Sequence, residues 1–580
     1  MKVAFRVDSS LQIGTGHLAR TLRIARWMQK RSVECFFICR ELNGASHQVV
    51  LDSGFQLIEL AAPTAASKPE IKLDLEHSAW LEVPWEQDAA ETKAQLEKRF
   101  SGSLDLLVLD HYALDARWLN VVGFAARRLM AIDDICDRKL PVDLLMNPSA
   151  PLAEVMAAGP KSGAGVMAGP AFTLIPEELR RTRRVRGLNP EIRILLFLGG
   201  IDPFKLTEKI IAELVPLLNE NCSLDVVIGE INPHKQELLR KWDGKNFLRL
   251  HLQPSNYLEL VQQADLAIGA AGTAAWERAA AGLPAILVNF ASNQNRVGMN
   301  LGESGAALNL GQYTEIAPGR VAAEVKKLLV DRKAIAELSR RGMEFLDGYG
   351  LERVGQAILG ILPKVVIATD ESSWINDFIP EFIEQQQRAG FHISWNHDVD
   401  KSEHAEVLCL ISYGKIVSPE QLSRFQNSIV VHESDLPIGR GWSPMTWQVL
   451  EGKRKIPICL LEASERVDAG LVYLRSEILL SGTELVADLR KKQASATFQL
   501  LRDFLTRYPF SVSEGKVQKG EPSYYPRRKP VDSKIDPNKT IRELFPLLQV
   551  VDNERYPAYF ELNGKRFLLK IEADEREEKK

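Results

Sequence analysis

The feature that most restricts this chain is a repeated alternation of short apolar runs with helical segments. Val3 to Val7 is followed by a polar loop and a helical pattern from His17 to Arg31, and Val33 to Cys39, Leu104 to Leu109 and Leu129 to Ile132 repeat the theme. Strands that alternate with helices build a parallel sheet covered by helices. The series restarts twice. Ile192 to Leu198, Leu224 to Ile228, Leu266 to Ile268 and Ala285 to Val288 form a second set, closed by a long helical stretch from Pro318 to Leu346. Val365 to Ala368, Val407 to Ile411, Ile429 to Val431 and Ile456 to Leu461 form a third.

The joints between these series are visible in composition. A basic, turn-rich stretch, Arg181 to Pro190, separates the first two, and Gly348-Tyr349-Gly350 and Leu362-Pro363 precede the third. After about Tyr508 the chain turns rich in Gly, Lys, Pro and Arg, then shows strand-like pairs around an Asn563-Gly564 hairpin signal. The predicted organisation is a first lobe at 1–185, a second at 186–350, a third domain at 364–507 and a small C-terminal subdomain at 508–580. The last seven residues are charged and are expected to fray.

Charge and cysteine usage exclude several classes. Lys plus Arg is 73 against 76 Asp plus Glu, a balance that argues against a dedicated nucleic-acid binder. The six cysteines, Cys35, Cys39, Cys136, Cys222, Cys409 and Cys459, include no CxxC pair and read as small buried hydrophobes in a reducing compartment. The ten histidines show no HExxH or paired ligand spacing, so no metal is expected. With no signal peptide at Met1 to Arg6 and no apolar run near the roughly 18 residues of a membrane span, the expectation is a cytoplasmic protein without membrane or nucleic-acid partners. The sequence sets no oligomeric state.

The first chemical signal is Gly14-Thr15-Gly16-His17-Leu18-Ala19-Arg20, a GxGxxA spacing that opens a helix. Glycines there let a backbone approach phosphate, and the helix start supplies N–H donors. Two details argue against a dinucleotide fold: Asp8 to Ile13 separate the strand from Gly14, and a histidine stands inside the loop. His17 is instead a candidate general base, titrating near neutrality beside a ligand. In the second series, Gly199-Gly200-Ile201-Asp202-Pro203 follows a strand, and Gly272-Thr273-Ala274-Ala275-Trp276-Glu277 enters a helix. These read as a diphosphate cradle, with Glu277 placed to accept from ribose hydroxyls; the alternative is close helix–sheet packing by Gly and Ala.

Arg6-Val7-Asp8, Gly14 to Arg20, Asp110-His111-Tyr112 with Asp115 and Trp118, Ile132-Asp133-Asp134, Asn147, Gly199 to Pro203, Gly272-Thr273 with Trp276-Glu277, and Asn293-Gln294 together resemble a known family. It is the UDP-sugar hydrolase of pseudaminic acid biosynthesis, which acts on UDP-2,4-diacetamido-2,4,6-trideoxy-β-L-altropyranose and is related to GT-B glycosyltransferases. The resemblance covers about residues 1–345. It implies UDP in the cleft between two Rossmann-type lobes, held mainly by the second. His17 would activate water at the anomeric carbon, Asn293 would position sugar or water, and Asp8 and Tyr112 would contact the sugar. Gly14, Gly16, Arg20, Gly199, Gly200, Gly272, Thr273 and Glu277 complete the expected substrate-binding set.

The third series carries His432-Glu433-Ser434-Asp435-Leu436-Pro437-Ile438-Gly439-Arg440-Gly441 directly after a strand, with Asp468 farther on. A histidine paired with a carboxylate can take the proton of an attacking amine and steady a tetrahedral oxyanion. The segment resembles the HxSxLPxxRG signature of N10-formyltetrahydrofolate-dependent formyltransferases, the methionyl-tRNA and sugar N-formyltransferases, over about 365–572. The resemblance implies His432 and Asp468 as catalytic residues and Tyr413, Ser434 and Arg440 at the folate co-substrate. The family's asparagine two residues before the histidine is Val430 here. Asn396-His397-Asp398 is a substitute on paper but reads as a solvated turn, and Lys415 as a surface charge.

The expected fold class is therefore α/β: a GT-B-like pair of lobes, a Rossmann-like formyltransferase domain and a small β-containing subdomain. The expected function is bifunctional, N-formylation of a UDP-4-amino sugar and hydrolysis to UDP and free sugar. Two alternatives stay open: a UDP-sugar-dependent GT-B glycosyltransferase, or a hydrolase carrying a catalytically silent formyltransferase-like module.

Overall fold

The structure is a computed structural model that describes residues 1–64, 75–102, 104–187, 189–202 and 204–574. Leu188 of the basic connection, Pro203 of the Gly199 motif and most of the charged C-terminal end lie outside the described residues. The chain divides into two compact units, Met1–Gly360 and Ile361–Lys580.

The first unit contains two parallel sheets. Strands β1 (Lys2–Val7), β2 (Glu34–Arg40), β3 (Gln56–Leu60), β4 (Leu104–Asp110), β5 (Ala126–Ile132), β6 (Leu144–Asn147) and β7 (Gly165–Ala168) pair in the order β3-β2-β1-β4-β5-β6-β7. Strands β8 (Ile192–Phe197), β9 (Cys222–Ile228), β10 (Leu248–Leu252), β11 (Leu266–Ala270), β12 (Ala285–Asn289) and β13 (Leu308–Gln312) pair as β10-β9-β8-β11-β12-β13. In both, the order reverses beside the first strand of the set, between β1 and β4 and between β8 and β11. A crevice opens at the carboxyl ends of the strands at such a switch point, and ligands bind there. Helices on both faces bury the sheets, which is why the central strands are apolar throughout.

The expected helix over 318–346 is two helices, Arg320–Val330 and Arg332–Phe345. Asp331 breaks it: its carboxylate accepts from the N–H groups of Lys333 and Ala334 at 3.1 and 3.0 Å, capping the second helix. The helix Gly350–Leu359 then packs on the Gly16–Gln29 helix of the first lobe. A Cβ on Gly355 would stand 2.3 Å from the Trp27 ring, so only glycine fits there. Arg353 donates to the carbonyl of Ala171 at 2.8 Å and tightens the same junction.

The second unit is built on a six-stranded sheet. Strands β14 (Lys364–Ala368), β15 (His392–Asn396), β16 (Val407–Leu410) and β17 (Asn427–His432) are parallel, and β19 (Lys455–Glu462) and β20 (Val472–Leu479) are antiparallel, in the order β15-β14-β16-β17-β19-β20. The short strands β18 (Arg440–Gly441) and β21 (Tyr524–Tyr525) pair with each other. The helix Val486–Thr506 covers the sheet. The hairpin β22 (Ala558–Leu562) and β23 (Lys565–Leu569) turns at Asn563 and Gly564, with φ of 50° and 76°, as a two-residue turn of that handedness requires.

Candidate functional site

The switch point of the first lobe sets His17 beside Asp110. β1 leads through the glycine loop into the Gly16–Gln29 helix, which carries His17 on its first turn; β4 ends at Asp110. Gly14, at φ 82°, gives the loop its turn and donates to the Ser10 carbonyl at 2.8 Å. His17 Nδ1 lies 2.6 Å from Asp110 Oδ1, and Arg20 holds the same carboxylate from Nε at 2.7 Å and Nη2 at 2.6 Å.

Burial alone would push the Asp110 carboxyl up, but Arg20 and His17 outweigh it and hold it well below the ordinary carboxylate range. An ionised carboxylate only accepts hydrogen bonds, so it fixes a His17 proton on Nδ1 and leaves Nε2 as the nitrogen that faces away from the pair. Arg20 also pairs with Asp134, which accepts from the Tyr112 hydroxyl. Burial first, then Asp134, raises the Tyr112 phenol well above its ordinary value.

A cavity of about 210 Å³ opens over this group. Of the residues expected at the substrate, Gly16, His17, Arg20, Tyr112, Gly272, Thr273 and Asn293 line it. Gly14, Gly199, Gly200 and Glu277 are not among its lining residues, though a Cβ on Gly200 would lie 3.7 Å from Thr15 Oγ1 in the glycine loop. Asp202 closes that motif by accepting from the N–H groups of Leu206 and Thr207, at 2.9 and 2.8 Å, at the start of a helix.

Three expected roles change on this geometry. Asp8 is 1% exposed and is turned into the core, where it accepts from Arg6 at 2.5 Å and from the Arg40 backbone N–H at 2.7 Å, so it does not line the cavity. Arg20 spends its guanidinium on two carboxylates, which makes it a holder of the His17–Asp110 pair. Glu277 accepts from Arg23, which also donates to the Leu174 carbonyl at 2.9 Å.

Sequence reasoning named Tyr112 but missed Trp80 and His77 behind the histidine. Trp80 and Tyr112 stack at 5.4 Å between centroids, and the His17 ring meets Tyr112 edge-on at 4.6 Å and Trp80 at 5.8 Å. His77 completes the cluster, 4.5 Å from Trp80. Trp80 and His77 stand in a 3-10 turn with no periodic pattern, so nothing local marks them. Asp110 stands in the Asp110-His111-Tyr112 motif of the resemblance, where no role was read for it. Among the described residues one group, Glu41, His47 and Glu59, gathers three ligand-type side chains; it is an ion-pair cluster whose two acids are exposed, and it takes no part in lining the cavity.

In the second unit His432 ends β17 and is buried. Its Nδ1 lies 3.7 Å from Asp468 Oδ2, and its Nε2 is 2.8 Å from the Gly439 carbonyl. Asp468 sits at φ 54° and is fixed by the Gly441 N–H on its carboxylate at 2.9 Å and by Gln518 Nε2 on its carbonyl at 2.8 Å. Arg440 donates to Gln518 at 2.6 Å, which ties it to the same loop. The Ser434 hydroxyl is buried without a partner. Tyr413 is half-buried in the loop after β16, with Lys415 over its ring at 5.7 Å.

Val430 points the same way as His432, two residues earlier on the strand, and packs among apolar neighbours including Leu461. Asn396 cannot replace the missing asparagine. β14 and β16 lie between β15 and β17, about 14 Å at roughly 4.8 Å per strand. His397 is engaged at the Thr369 carbonyl, 3.1 Å away.

With this geometry in view, likeness to known proteins falls along the same divisions. Residues 365–505 match the Formyl transferase family, and residues 194–348 match the Glycosyltransferase family 28 C-terminal domain. The spore coat polysaccharide biosynthesis protein SpsG of Bacillus subtilis is 23% identical over 368 residues, 61% of this chain and 96% of that protein. Methionyl-tRNA formyltransferase of Thermodesulfovibrio yellowstonii is 27% identical over 26% of this chain and 49% of its own length. The chain thus spans about half the length of the methionyl-tRNA formyltransferases it matches. Among solved structures, Acinetobacter baumannii MurG aligns with a TM-score of 0.44 at 15% identity, over 62% of this chain and 99% of that one.

The class that fold and matches define is a GT-B-like pair of lobes joined to a Rossmann-like formyltransferase domain. The Formyl transferase match spans the segment that carries His432 and Asp468. Among the described residues no helix is long and apolar enough to cross a membrane.

Proposed function

We propose that the chain is a bifunctional enzyme of nonulosonic (pseudaminic) acid biosynthesis. The second unit formylates the 4-amine of a UDP-4-amino-4,6-dideoxy sugar of the L-altrose series, and the first hydrolyses the acylated product to UDP and free sugar. The division of labour is a base-carrying lobe at 1–185, a UDP-binding lobe at 186–350, a formyl-transfer domain at 364–507 and an accessory subdomain at 508–580. The observation that carries the reading is the His17–Asp110 pair at 2.6 Å in a cavity also lined by Gly272 and Thr273. The relation to a spore coat polysaccharide biosynthesis protein supports sugar chemistry.

In the first unit, water gives a proton to His17 Nε2 while its oxygen attacks the anomeric carbon. The bond from that carbon to the β-phosphate oxygen breaks, and UDP departs with the electron pair. No covalent enzyme intermediate is needed, because diphosphate is a stable leaving anion. Asn293 holds the water or sugar. In the second unit the sugar amine attacks the formyl carbon, His432 takes the amine proton and passes it to N10, and the bond from the formyl carbon to N10 breaks so that tetrahydrofolate leaves.

Two features favour other readings. The Glycosyltransferase family 28 match favours a true glycosyltransferase, in which UDP release needs a sugar acceptor. Val430, with His432 Nε2 held by Gly439, favours a silent second unit. Mass spectrometry of the full chain with the UDP-4-amino sugar, with and without N10-formyltetrahydrofolate, separates all three. A formylated sugar nucleotide followed by UDP and free sugar is expected. UDP release that ignores folate and yields no formylated species would sink the formyl-transfer half, and UDP release only with an added acceptor would sink the hydrolase half.

A further inference from the structure

Most polar side chains on the first lobe's side of the cavity are engaged with one another. Arg20 holds Asp110 and Asp134, and Tyr112 donates to Asp134. The Thr173 hydroxyl is closed off from the space. Ser149 is different. It lines the cavity, and its hydroxyl is neither closed off nor partnered among the described residues.

The residue is held in place from both lobes. Its N–H donates to Asn147 Oδ1 at 2.9 Å, and the Ala150 N–H donates to the same oxygen at 2.9 Å. Its carbonyl accepts at 2.8 Å from Asn300 Nδ2, on the helix Asn295–Glu303 of the second lobe. Arg296 of that helix also donates to Glu154, just beyond Ser149, at 2.7 Å. With both backbone groups fixed, the hydroxyl meets a ligand with little further loss of freedom.

Its place in the sheet says which part of a ligand it meets. β4 ends at Asp110, which orients His17, and β6 leads into Ser149. One strand, β5, lies between them, so the two ends are about 10 Å apart at roughly 4.8 Å per strand. The anomeric carbon under attack belongs at the His17 end of that span. In a pyranose ring C4 lies opposite the anomeric carbon, so its substituent is the part of the sugar that extends toward Ser149. A serine hydroxyl can donate to a formyl oxygen or accept from an amide N–H.

We propose that the Ser149 hydroxyl hydrogen-bonds the 4-formamido group of the UDP-sugar, which makes Ser149 a specificity-determining residue of the first unit. The assignment rests on the hydrolase reading above and deepens it. It also gives Asn147 a task, since its carboxamide sets the turn that presents Ser149 to the cavity.

The test measures kcat/KM for UDP release by the full chain and by Ser149→Ala on two substrates, the 4-formamido UDP-sugar and its 4-deoxy analogue. Calorimetry with UDP and thermal unfolding serve as controls. Ser149→Ala is expected to lose about fivefold in kcat/KM on the formamido sugar, as loss of one neutral hydrogen bond implies, and nothing on the 4-deoxy analogue. UDP affinity and unfolding temperature are expected to stay at wild-type values. Equal losses on the two sugars would overturn the proposal, because the hydroxyl would then act away from C4. So would no loss on either sugar, or a loss of UDP affinity, which places the hydroxyl at the nucleotide. A wild-type chain that turns over neither sugar without an added acceptor would overturn the hydrolase reading itself, and the assignment with it.

Discussion

His17 can act as a base only while its proton stays on Nδ1, and Asp110 is what keeps it there. An amide at position 110 presents a donor as readily as an acceptor and leaves the Arg20 guanidinium short of a charge. Asp110→Asn should therefore lower kcat for UDP release by roughly 10²- to 10⁴-fold, the range of a general base, with little change in KM. His17→Ala should fall by a similar factor, and the double variant should lose little more, since the two act as a unit. Additive losses would show that Asp110 acts elsewhere. The neighbouring His111 gives a pH signature. Burial, more than Asp8 can offset, holds its imidazole below the ordinary value of about 6.5. The unfolded chain then binds a proton that the folded chain refuses. Stability from this group is complete above that ordinary value and is lost as the pH falls through the lower folded one. The unfolding temperature of the first unit should drop as the pH falls below about 6.5, and His111→Gln should flatten that part of the profile. An unchanged slope would assign the acid sensitivity to other groups.

At the level of elements, β17 decides whether the second unit turns over. Residues 430 and 432 share a face of the strand, so an asparagine at 430 would stand next to His432 and supply the donor that valine cannot. Val430→Asn should raise formyl transfer at least about tenfold, measured as formylated sugar nucleotide per unit time, with folding checked by unfolding temperature. No gain would mean that another group already fills the role or that His432 is not the base. The strands themselves were legible in the sequence because central parallel strands are buried on both faces and read as unbroken apolar runs. The edges were not. β10 and β13 are half-exposed and polar, and β20 alternates into solvent, so no apolar run announces them. The glycine loop and His17 were equally legible, since a helix start with a histidine inside it is a local pattern. The Asp110 partner 93 residues away and the Trp80 ring join the site only through tertiary packing. Asp8 misled for the opposite reason: it follows a strand inside a motif, but buried Arg6 claims its carboxylate before any ligand can.

For the whole chain the two chemistries have a required order. On the proposed function, formylation comes before hydrolysis, because once UDP has left the sugar no longer carries the nucleotide by which either reaction would recognise it. Something must then keep the first unit from hydrolysing the unformylated amine. The cavity offers the means. Its walls include Ile13, Met146, Leu174, Ile175, Trp276 and Val297, and the one carboxylate lining it among the described residues, Asp134, is already held by Arg20 and Tyr112. A protonated 4-amine entering such a space loses its hydration and finds no free counter-charge, whereas a formamide is neutral and can hydrogen-bond. The formylated UDP-sugar should therefore be hydrolysed with kcat/KM at least about tenfold above that of the 4-amino precursor. The discrimination should weaken above the amine's own pKa, where the precursor is neutral as well. Measuring kcat/KM for both sugars between pH 6 and 9 checks this. Equal values across that range would show that the order of the steps is set outside the first unit's cavity.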